Sequence, residues 1–507
     1  MVSTNKKARG DRHKEKVLST FNEFNPQSEM YEDFGFFLSL SNVNDRLQKA
    51  PGLINLKINN KMKKRFLTII MFIGFISGSI YSQNFNKPKI DSLFDILAQK
   101  NKAMGSLTLS KNGKVLYSRA IGYSFISDAE KKPSTEATKY RIGSITKMFT
   151  ATIILQLSEE GKISLDATLD KYYPALPNAS KITIRNLLNH RSGLHNFTNE
   201  PEYMTWMTKP KTHDEMLAVI SKYPVDFQPN EKYAYSNSNY VVLGYIIEKI
   251  CKEPYSKVLK DRITSKLGLT NTYYGGRTDI KNNESYSYRW MKNWEKQPET
   301  DMSIPGAAGS IVSTPEDLTK FIEALFSLKL VTQNSLDQMK NMIDGYGMAM
   351  IKAPFHEKTG YGHGGGIDGF ASNLVYFPEE SLAIAYCTNG QVYPMNDILM
   401  GILSIYFNMG YSIPKFIPKP VISLKTEELD KYLGEYSSTQ IPLKITVIKD
   451  KSTLFAQATG QSAFPLEAID KDIFQFEQAG IEIEFNTGKN EFTLKQGGGS
   501  FLFSKTK

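Results

Sequence analysis

Ser144 and Lys147 stand three residues apart in the stretch Tyr140-Arg141-Ile142-Gly143-Ser144-Ile145-Thr146-Lys147-Met148-Phe149-Thr150-Ala151. A serine hydroxyl is a weak nucleophile until a base takes its proton, and a lysine amine can be that base once burial lowers its pKa. The apolar residues Met148, Phe149, Ile153, Ile154, Leu155 and Leu157 predict a buried helix ending near Glu160-Gly161. Ser144 would open that helix at the positive end of its dipole, and Lys147, one turn on, would return to the same face. The spacing alone is weak evidence. Ser3/Lys6, Ser412/Lys415 and Ser504/Lys507 share it in a polar leader, beside Pro414 and at the chain end. For a bare pair of this kind, an N-cap serine with an exposed lysine is the commoner arrangement.

Two further stretches hold groups that such a serine needs. In Phe227-Gln228-Pro229-Asn230-Glu231-Lys232-Tyr233-Ala234-Tyr235-Ser236-Asn237-Ser238-Asn239-Tyr240, Tyr235 and Asn237 lie two apart in what reads as an extended loop, so they can point the same way. A phenol beside a cationic lysine has its ionised form stabilised, so Tyr235 could pass a proton, while Asn237 could hold Lys147 and a substrate amide. A polar turn facing water or sugar fits the same residues. In Gly362-His363-Gly364-Gly365-Gly366-Ile367-Asp368-Gly369-Phe370, glycines would let a strand approach an acyl group and aim its N–H groups at a carbonyl oxygen, as an oxyanion hole requires. A tight bend is the plainer reading of a glycine run. The three pieces in one chain, in this order, outweigh the plain reading of each.

The elements around them must bring them together. Ile90 to Lys100 reads as an amphipathic helix and Leu107 to Tyr123 as a hairpin turning at Asn112-Gly113. Residues 195–230 read as an irregular lobe over the site, and Tyr240 to Cys251 as a helix with Val241, Leu243, Ile246, Ile247 and Ile250 inward. Thr314 caps a helix over Glu316 to Leu328, with Pro315 at its first position. Short runs at Tyr346–Ile351, Gly362–Gly369, Ser372–Phe377 and Leu382–Thr388 read as hairpin strands returning to the sheet begun before Ser144, closed by an apolar helix from Met395 to Asn408. The prolines of residues 413–424 mark a semi-rigid linker. Beyond them, 425–507 shows short alternating strands and one helix, Glu427 to Leu433, which fits a small β-barrel or sandwich.

At 507 residues the chain is too long for one typical core. Its net charge of +10 raises nucleic-acid or membrane binding, but 13 Lys+Arg and only 7 Asp+Glu fall in residues 1–83, leaving 49 against 45 elsewhere. Nucleic-acid binding therefore loses its support. Cys251 and Cys387 give no disulfide framework and no zinc spacing, and their apolar surroundings read as buried free thiols. Met62-Lys63-Lys64-Arg65, the apolar run Phe66 to Tyr81 and Ser82-Gln83 have the layout of a secretory signal peptide over 62–83. A periplasmic or secreted protein is the expectation, with an inner-membrane anchor through residues 66–81 as the alternative. Residues 1–61 would then be a non-native or disordered leader, with Met62 the true start.

The set Ser144-x-x-Lys147, Tyr235-Ser236-Asn237 and His363-Gly364-Gly365 resembles the serine β-lactamase and penicillin-binding-protein superfamily, within it the class C β-lactamase, DD-peptidase and esterase branch. Leu187-Leu188-x-His190-x-Ser192-Gly193-Leu194, Gly309-x-x-x-Ser313-Thr314-Pro315-x-Asp317 and Gly369-Phe370 resemble that branch too. The resemblance implies an α+β fold, an antiparallel sheet flanked by helices with a helical lobe, over residues 84–412. Residues 425–507 resemble the lipocalin-like appendage of some members and imply a small C-terminal β-barrel. It implies Ser144 as nucleophile, Lys147 as its base and Tyr235 as proton relay. Asn237 would contact substrate amide and lysine, and the N–H groups of Ser144 and Gly366 would form the oxyanion hole.

His363, with Gly364, Gly365 and Gly366 on the substrate-binding strand, would take the place where β-lactamases keep the lysine of a Lys-Thr-Gly motif. Lys358-Thr359-Gly360 spells that motif upstream, but in this branch it begins seven residues before the Gly-Phe phenylalanine, and His363 stands at that distance from Phe370. Lys358-Thr359-Gly360 is then expected to be a loop. A largely neutral imidazole suits a β-lactam or D-alanyl carboxylate less well than a permanent cation, which places D-amino-acid peptides and small esters at least level with β-lactams. The expected function is an exported serine hydrolase working through an acyl-enzyme on an amide or ester, without metal or organic cofactor. Its partners would be a small-molecule or peptide substrate and cell-wall material, with no nucleic acid. The alternative is a catalytically weak penicillin-binding-like or cell-wall-binding protein.

Overall fold

The computed structural model describes residues 85–506 apart from 292, 417–420, 442, 460–462, 477–479 and 497–498. The leader over 1–61 and the signal peptide over 62–83 lie outside the described residues. Among the described residues no helix is long and apolar enough to cross a membrane.

The architecture is α+β. Helix α1 (Lys87–Gln99) starts where the Asn86 side chain accepts the Lys89 N–H at 3.0 Å, and it buries Ile90, Leu93, Phe94 and Leu97. Strands β1 (Ala103–Lys111) and β2 (Lys114–Ile121) form the expected hairpin around Asn112-Gly113. Helix α2 (Thr146–Glu159) follows, then α3 (Asn237–Cys251) and α4 (Pro315–Phe326), the last capped by Thr314 with its hydroxyl accepting the Asp317 N–H at 3.2 Å. Strands β3 (Ile351–Phe355), β4 (Lys358–Ile367), β5 (Phe370–Phe377) and β6 (Leu382–Gln391) complete an antiparallel sheet in the order β3-β4-β5-β6-β1-β2. Helix α5 (Met395–Tyr406) ends this unit.

Both faces of the sheet are covered, so its central strands lack the half-polar alternation of a one-sided sheet. Along β6, Ile384 and Tyr386 join Leu107, Leu109, Phe94 and Ile398 in the core beneath α1 and α5. Ala383, Ala385 and Cys387 face the opposite way, into the larger core under α2 and α4. Every residue of α2 from Thr146 to Leu157 is buried, and Phe149 stacks on Phe321 of α4 at 3.7 Å between centroids. A helix buried all round is a central one, and each of its aliphatic or aromatic side chains contributes about 1.5–3 kcal/mol on burial.

Several sequence expectations shift. The lobe at 195–230 contains short helices at Tyr203–Trp206 and His213–Ser221. Lys358-Thr359-Gly360 is not a loop but the first turn-proximal part of β4, pairing with Phe355, Pro354 and Ala353. Cys387 is buried, whereas Cys251 is only partly so.

Residues 434–505 form a closed eight-stranded barrel: β7 (Gly434–Ser437), β8 (Lys444–Asp450), β9 (Thr453–Ala458), β10 (Phe464–Asp470), β11 (Ile473–Phe476), β12 (Ile481–Asn486), β13 (Glu491–Gln496) and β14 (Gly499–Lys505). Closure removes the free strand edges. A short 3-10 helix at Thr426–Tyr432, rather than an α-helix, leads into it and places Leu429 and Tyr432 in the barrel's own core. That core is filled by rings: Tyr432, Phe474, Phe485, Tyr436, Phe492 and Phe503 lie 4.8–6.0 Å from one another in successive pairs. An eight-stranded interior is just wide enough for side chains to fill, and here aromatic rings fill it.

Candidate active site

Ser144 lies in a 3-10 turn, Gly143–Ile145, and not in the α-helix itself, which begins two residues later at Thr146. Gly143 has φ +49, and a side chain there would meet Gly366 backbone atoms at 2.7–2.9 Å, so only glycine lets the turn lie against β4. Gly365 makes the second close approach: a Cβ would stand 2.0 Å from the Ile142 carbonyl oxygen. Ser372 Oγ donates to that same carbonyl at 2.8 Å. A buried ion pair fastens the flanks, because Arg141, just before the turn, reaches Asp368, just after the glycines, at 3.0 Å with both side chains buried. Arg141 also holds Glu299 at 2.8 Å.

Lys147 is fully buried and makes three hydrogen bonds, to Ser144 Oγ (2.8 Å), Asn237 Oδ1 (2.8 Å) and the Ala308 carbonyl oxygen (2.9 Å). None of these partners is charged, and burial holds its pKa well below the ordinary 10.5. The orientation of the Asn237 amide is fixed by its nitrogen, which donates to Thr198 Oγ1 at 3.1 Å. Asn237 Oδ1 and Ala308 O can only accept. A neutral amine has two N–H groups for them, which leaves its lone pair for the Ser144 hydroxyl. Tyr235 donates to the other side of Ser144 Oγ at 2.7 Å, and its ring lies 4.8 Å from Lys147 Nζ.

Tyr235 and Asn237 do not share a loop. Asn237 is the first residue of α3, Ser236 its N-cap, and the orphan Asn237 N–H is taken by Asn196 Oδ1 at 2.9 Å. His190 sets the extended segment before it. Its carbonyl accepts the Ala234 N–H at 3.0 Å and its Nδ1 accepts the Ser236 N–H at 3.1 Å, bracketing Tyr235, whose ring is 4.3 Å from the imidazole. His190 has φ +57 and a buried Nε2 without a partner. His190→Ala is expected to cost about 1–3 kcal/mol by leaving the Ser236 N–H unpaired. His190→Asn, which tolerates positive φ and offers an oxygen near the position of Nδ1, should recover most of it. Thermal unfolding of the two variants checks this.

His363 stands on the face of β4 turned to the serine, at 6.3 Å between its ring and that of Tyr235. Its Nδ1 donates to the Gly364 carbonyl and its Nε2 accepts from Tyr346 at 2.9 Å. Burial, with Lys147 nearby, lowers its pKa to about 3. Lys358 lies five residues back along the same strand, about 16 Å away, and pairs with Glu380 instead. Beside Ser144 opens a cleft lined by Phe197, Thr198, Tyr203, Pro305, Gly366 and Ile367 among others. The structure therefore brings Ser144, Lys147, Tyr235, Asn237, His363 and the Gly364–Gly366 strand together. His190, Tyr346, Thr198, Asn196 and the Ala308 carbonyl are the participants that sequence reasoning missed. Only His190 had a signal, as part of the Leu-Leu-x-His-x-Ser-Gly-Leu stretch.

The chain is similar in sequence and in fold to several known proteins. The Beta-lactamase family model matches residues 92–403. Penicillin-binding protein 4-star of Bacillus subtilis is 25% identical over 83% of this chain and 99% of its own length. The D-amino acid amidase of Ochrobactrum anthropi SV3, solved with D-phenylalanine, superposes with a TM-score of 0.57 at 27% identity, over 63% of this chain and 98% of that one. An octameric penicillin-binding protein homologue from Pyrococcus abyssi gives 0.58 at 25% identity over 82% and 99%. With the family model spanning more than half of its length, the chain belongs to the Beta-lactamase family, within the serine β-lactamase and penicillin-binding-protein superfamily.

Proposed function

We propose that this protein is an exported serine hydrolase that cleaves an amide or ester through an acyl-Ser144 intermediate. The observation that carries the reading is the position of Ser144 Oγ, 2.8 Å from Lys147 Nζ and 2.7 Å from the Tyr235 hydroxyl, at the wall of an open cleft. Neutral Lys147 takes the hydroxyl proton as Oγ bonds to the substrate carbonyl carbon, and the carbonyl π pair moves to oxygen. The N–H groups of Ser144 and Gly366 receive that oxyanion, each donor typically worth on the order of 10²–10³ in rate. Collapse re-forms the carbonyl and breaks the bond to the leaving group, which takes the proton from Lys147 through Tyr235. Water then attacks the ester with the same groups acting in reverse. The D-amino acid amidase and penicillin-binding protein relatives support acyl-serine chemistry, and the Met62–Gln83 stretch supports export to the periplasm or beyond.

An acyl-enzyme that accumulates leaves a kinetic mark. Rapid mixing with a p-nitrophenyl ester is expected to release a burst of p-nitrophenol equal to the enzyme present, followed by slower turnover. A linear trace at every substrate concentration, with no acyl-enzyme trapped by acid quench, would count against the intermediate. Tyr235→Phe removes only the hydroxyl at 2.7 Å from Oγ, and it is expected to lower kcat by roughly 10²–10⁴ with little change in melting temperature.

A further inference from the structure

His363, Gly365 and Ile367 occupy alternate positions on the face of β4 that meets the Ser144 turn. His363 is the residue there with a polar side chain, and both of its nitrogens are engaged. A carbonyl oxygen only accepts, so the contact with Gly364 O places the ring hydrogen on Nδ1. Nε2 is then the lone-pair nitrogen, and it receives the Tyr346 hydroxyl at 2.9 Å. The imidazole retains no N–H to give a ligand, and its low pKa leaves it uncharged at pH 7. The cleft is of the same character. Its walls, Phe197, Thr198, Tyr203, Pro305 and Ile367 beside Ser144 and Asn237, carry no formal charge at pH 7.

Resting on the acyl-serine reading above, we infer that the substrate is a neutral ester or amide, with an uncharged, apolar acyl portion and no ionised carboxylate where it passes His363. An ionised carboxylate moved against this wall would lose its water, and the imidazole, with both nitrogens already engaged, has no N–H to replace it. A carboxamide or ester in that position loses far less solvation and brings no charge. The Gly364 carbonyl, tied up by Nδ1–H, and the Tyr346 hydroxyl, tied up by Nε2, make the neutral state of the ring a built feature of the strand.

Acetyl-D-alanyl-D-alanine and its C-terminal amide differ by one charge and share every atom around the inner peptide bond. Both are used as competitors against fluorophosphonate labelling of Ser144 in the purified full chain, and inner-bond cleavage is followed by mass spectrometry. The amide is expected to protect Ser144, or to be cleaved, at least about tenfold better than the acid. His363→Lys, which places an ammonium on the same face, should raise the acid relative to the amide by about tenfold. Equal or better performance of the acid in the wild-type chain overturns the inference, as does an amide that gives no protection. Absence of fluorophosphonate labelling in the unprotected wild-type chain is a different failure, that of the acyl-serine reading itself.

Discussion

Ser144→Ala is expected to abolish hydrolysis, lowering kcat/KM for any turned-over ester or amide by roughly 10⁴-fold or more, while the protein remains folded. The two halves of that expectation have separate causes. Chemistry is lost because no other hydroxyl stands 2.8 Å from the Lys147 amine among the partners that the amine makes. The fold is kept because the position of the turn depends on other atoms, the backbone contact of Gly143 with Gly366, the Ser372–Ile142 hydrogen bond and the Arg141–Asp368 pair. Alanine is no larger than serine, and it leaves Lys147 with the two acceptors Asn237 Oδ1 and Ala308 O. Steady-state kinetics with a melting curve on the same sample reads both.

Lys147→Met should remove activity by on the order of 10²–10⁴ in kcat, the usual worth of a positioned base, and should also change how stability varies with pH. Burial lowers the folded-state pKa of Lys147 below its ordinary 10.5, so between those two values the unfolded chain binds the proton and the folded chain does not. Stability then rises with pH across that window. The burial penalty is largest below the folded pKa and vanishes above about 10.5. Methionine carries no such penalty. The melting temperature of Lys147→Met relative to wild type is therefore expected to be most favourable at low pH and to fall steadily as pH rises toward about 10.5. A pH-independent difference would mean that Lys147 keeps an ordinary pKa in the fold. The wild-type rate is expected to show an acid limb at the same depressed pKa, since protonation would remove the lone pair that faces Ser144.

The candidate reaction centre was legible in the sequence because its side chains are constrained in type and spacing. Ser144 and Lys147 need one helical turn between them, and the distance from His363 to Phe370 distinguishes it from Lys358 on the same strand. What the sequence hid was of two kinds. Backbone partners have no signature, so the Ala308 carbonyl that orients Lys147 could be found only from coordinates. Side chains distant in sequence that act on geometry were also hidden. Tyr346 donates to His363 Nε2, Asn196 caps α3, and Thr198 fixes the Asn237 amide. The loop expected around Tyr235-Ser236-Asn237 was half a helix, because an N-cap serine followed by three polar residues reads like a turn. In the barrel, alternation identified the strands, but alternating apolar residues do not say whether they surround a ligand or one another. Stacked rings such as Phe492 and Phe503, 4.9 Å apart, answer that.

The central claim is that Ser144 is a nucleophile armed by Lys147 and Tyr235. Its most direct measurement is peptide-level mass spectrometry of the purified protein after exposure to a fluorophosphonate. The account predicts one adduct per chain, on Ser144, absent from Ser144→Ala and strongly slowed in Lys147→Met. An unmodified Ser144, or equal labelling of the Ser144→Ala chain at another residue, would contradict it.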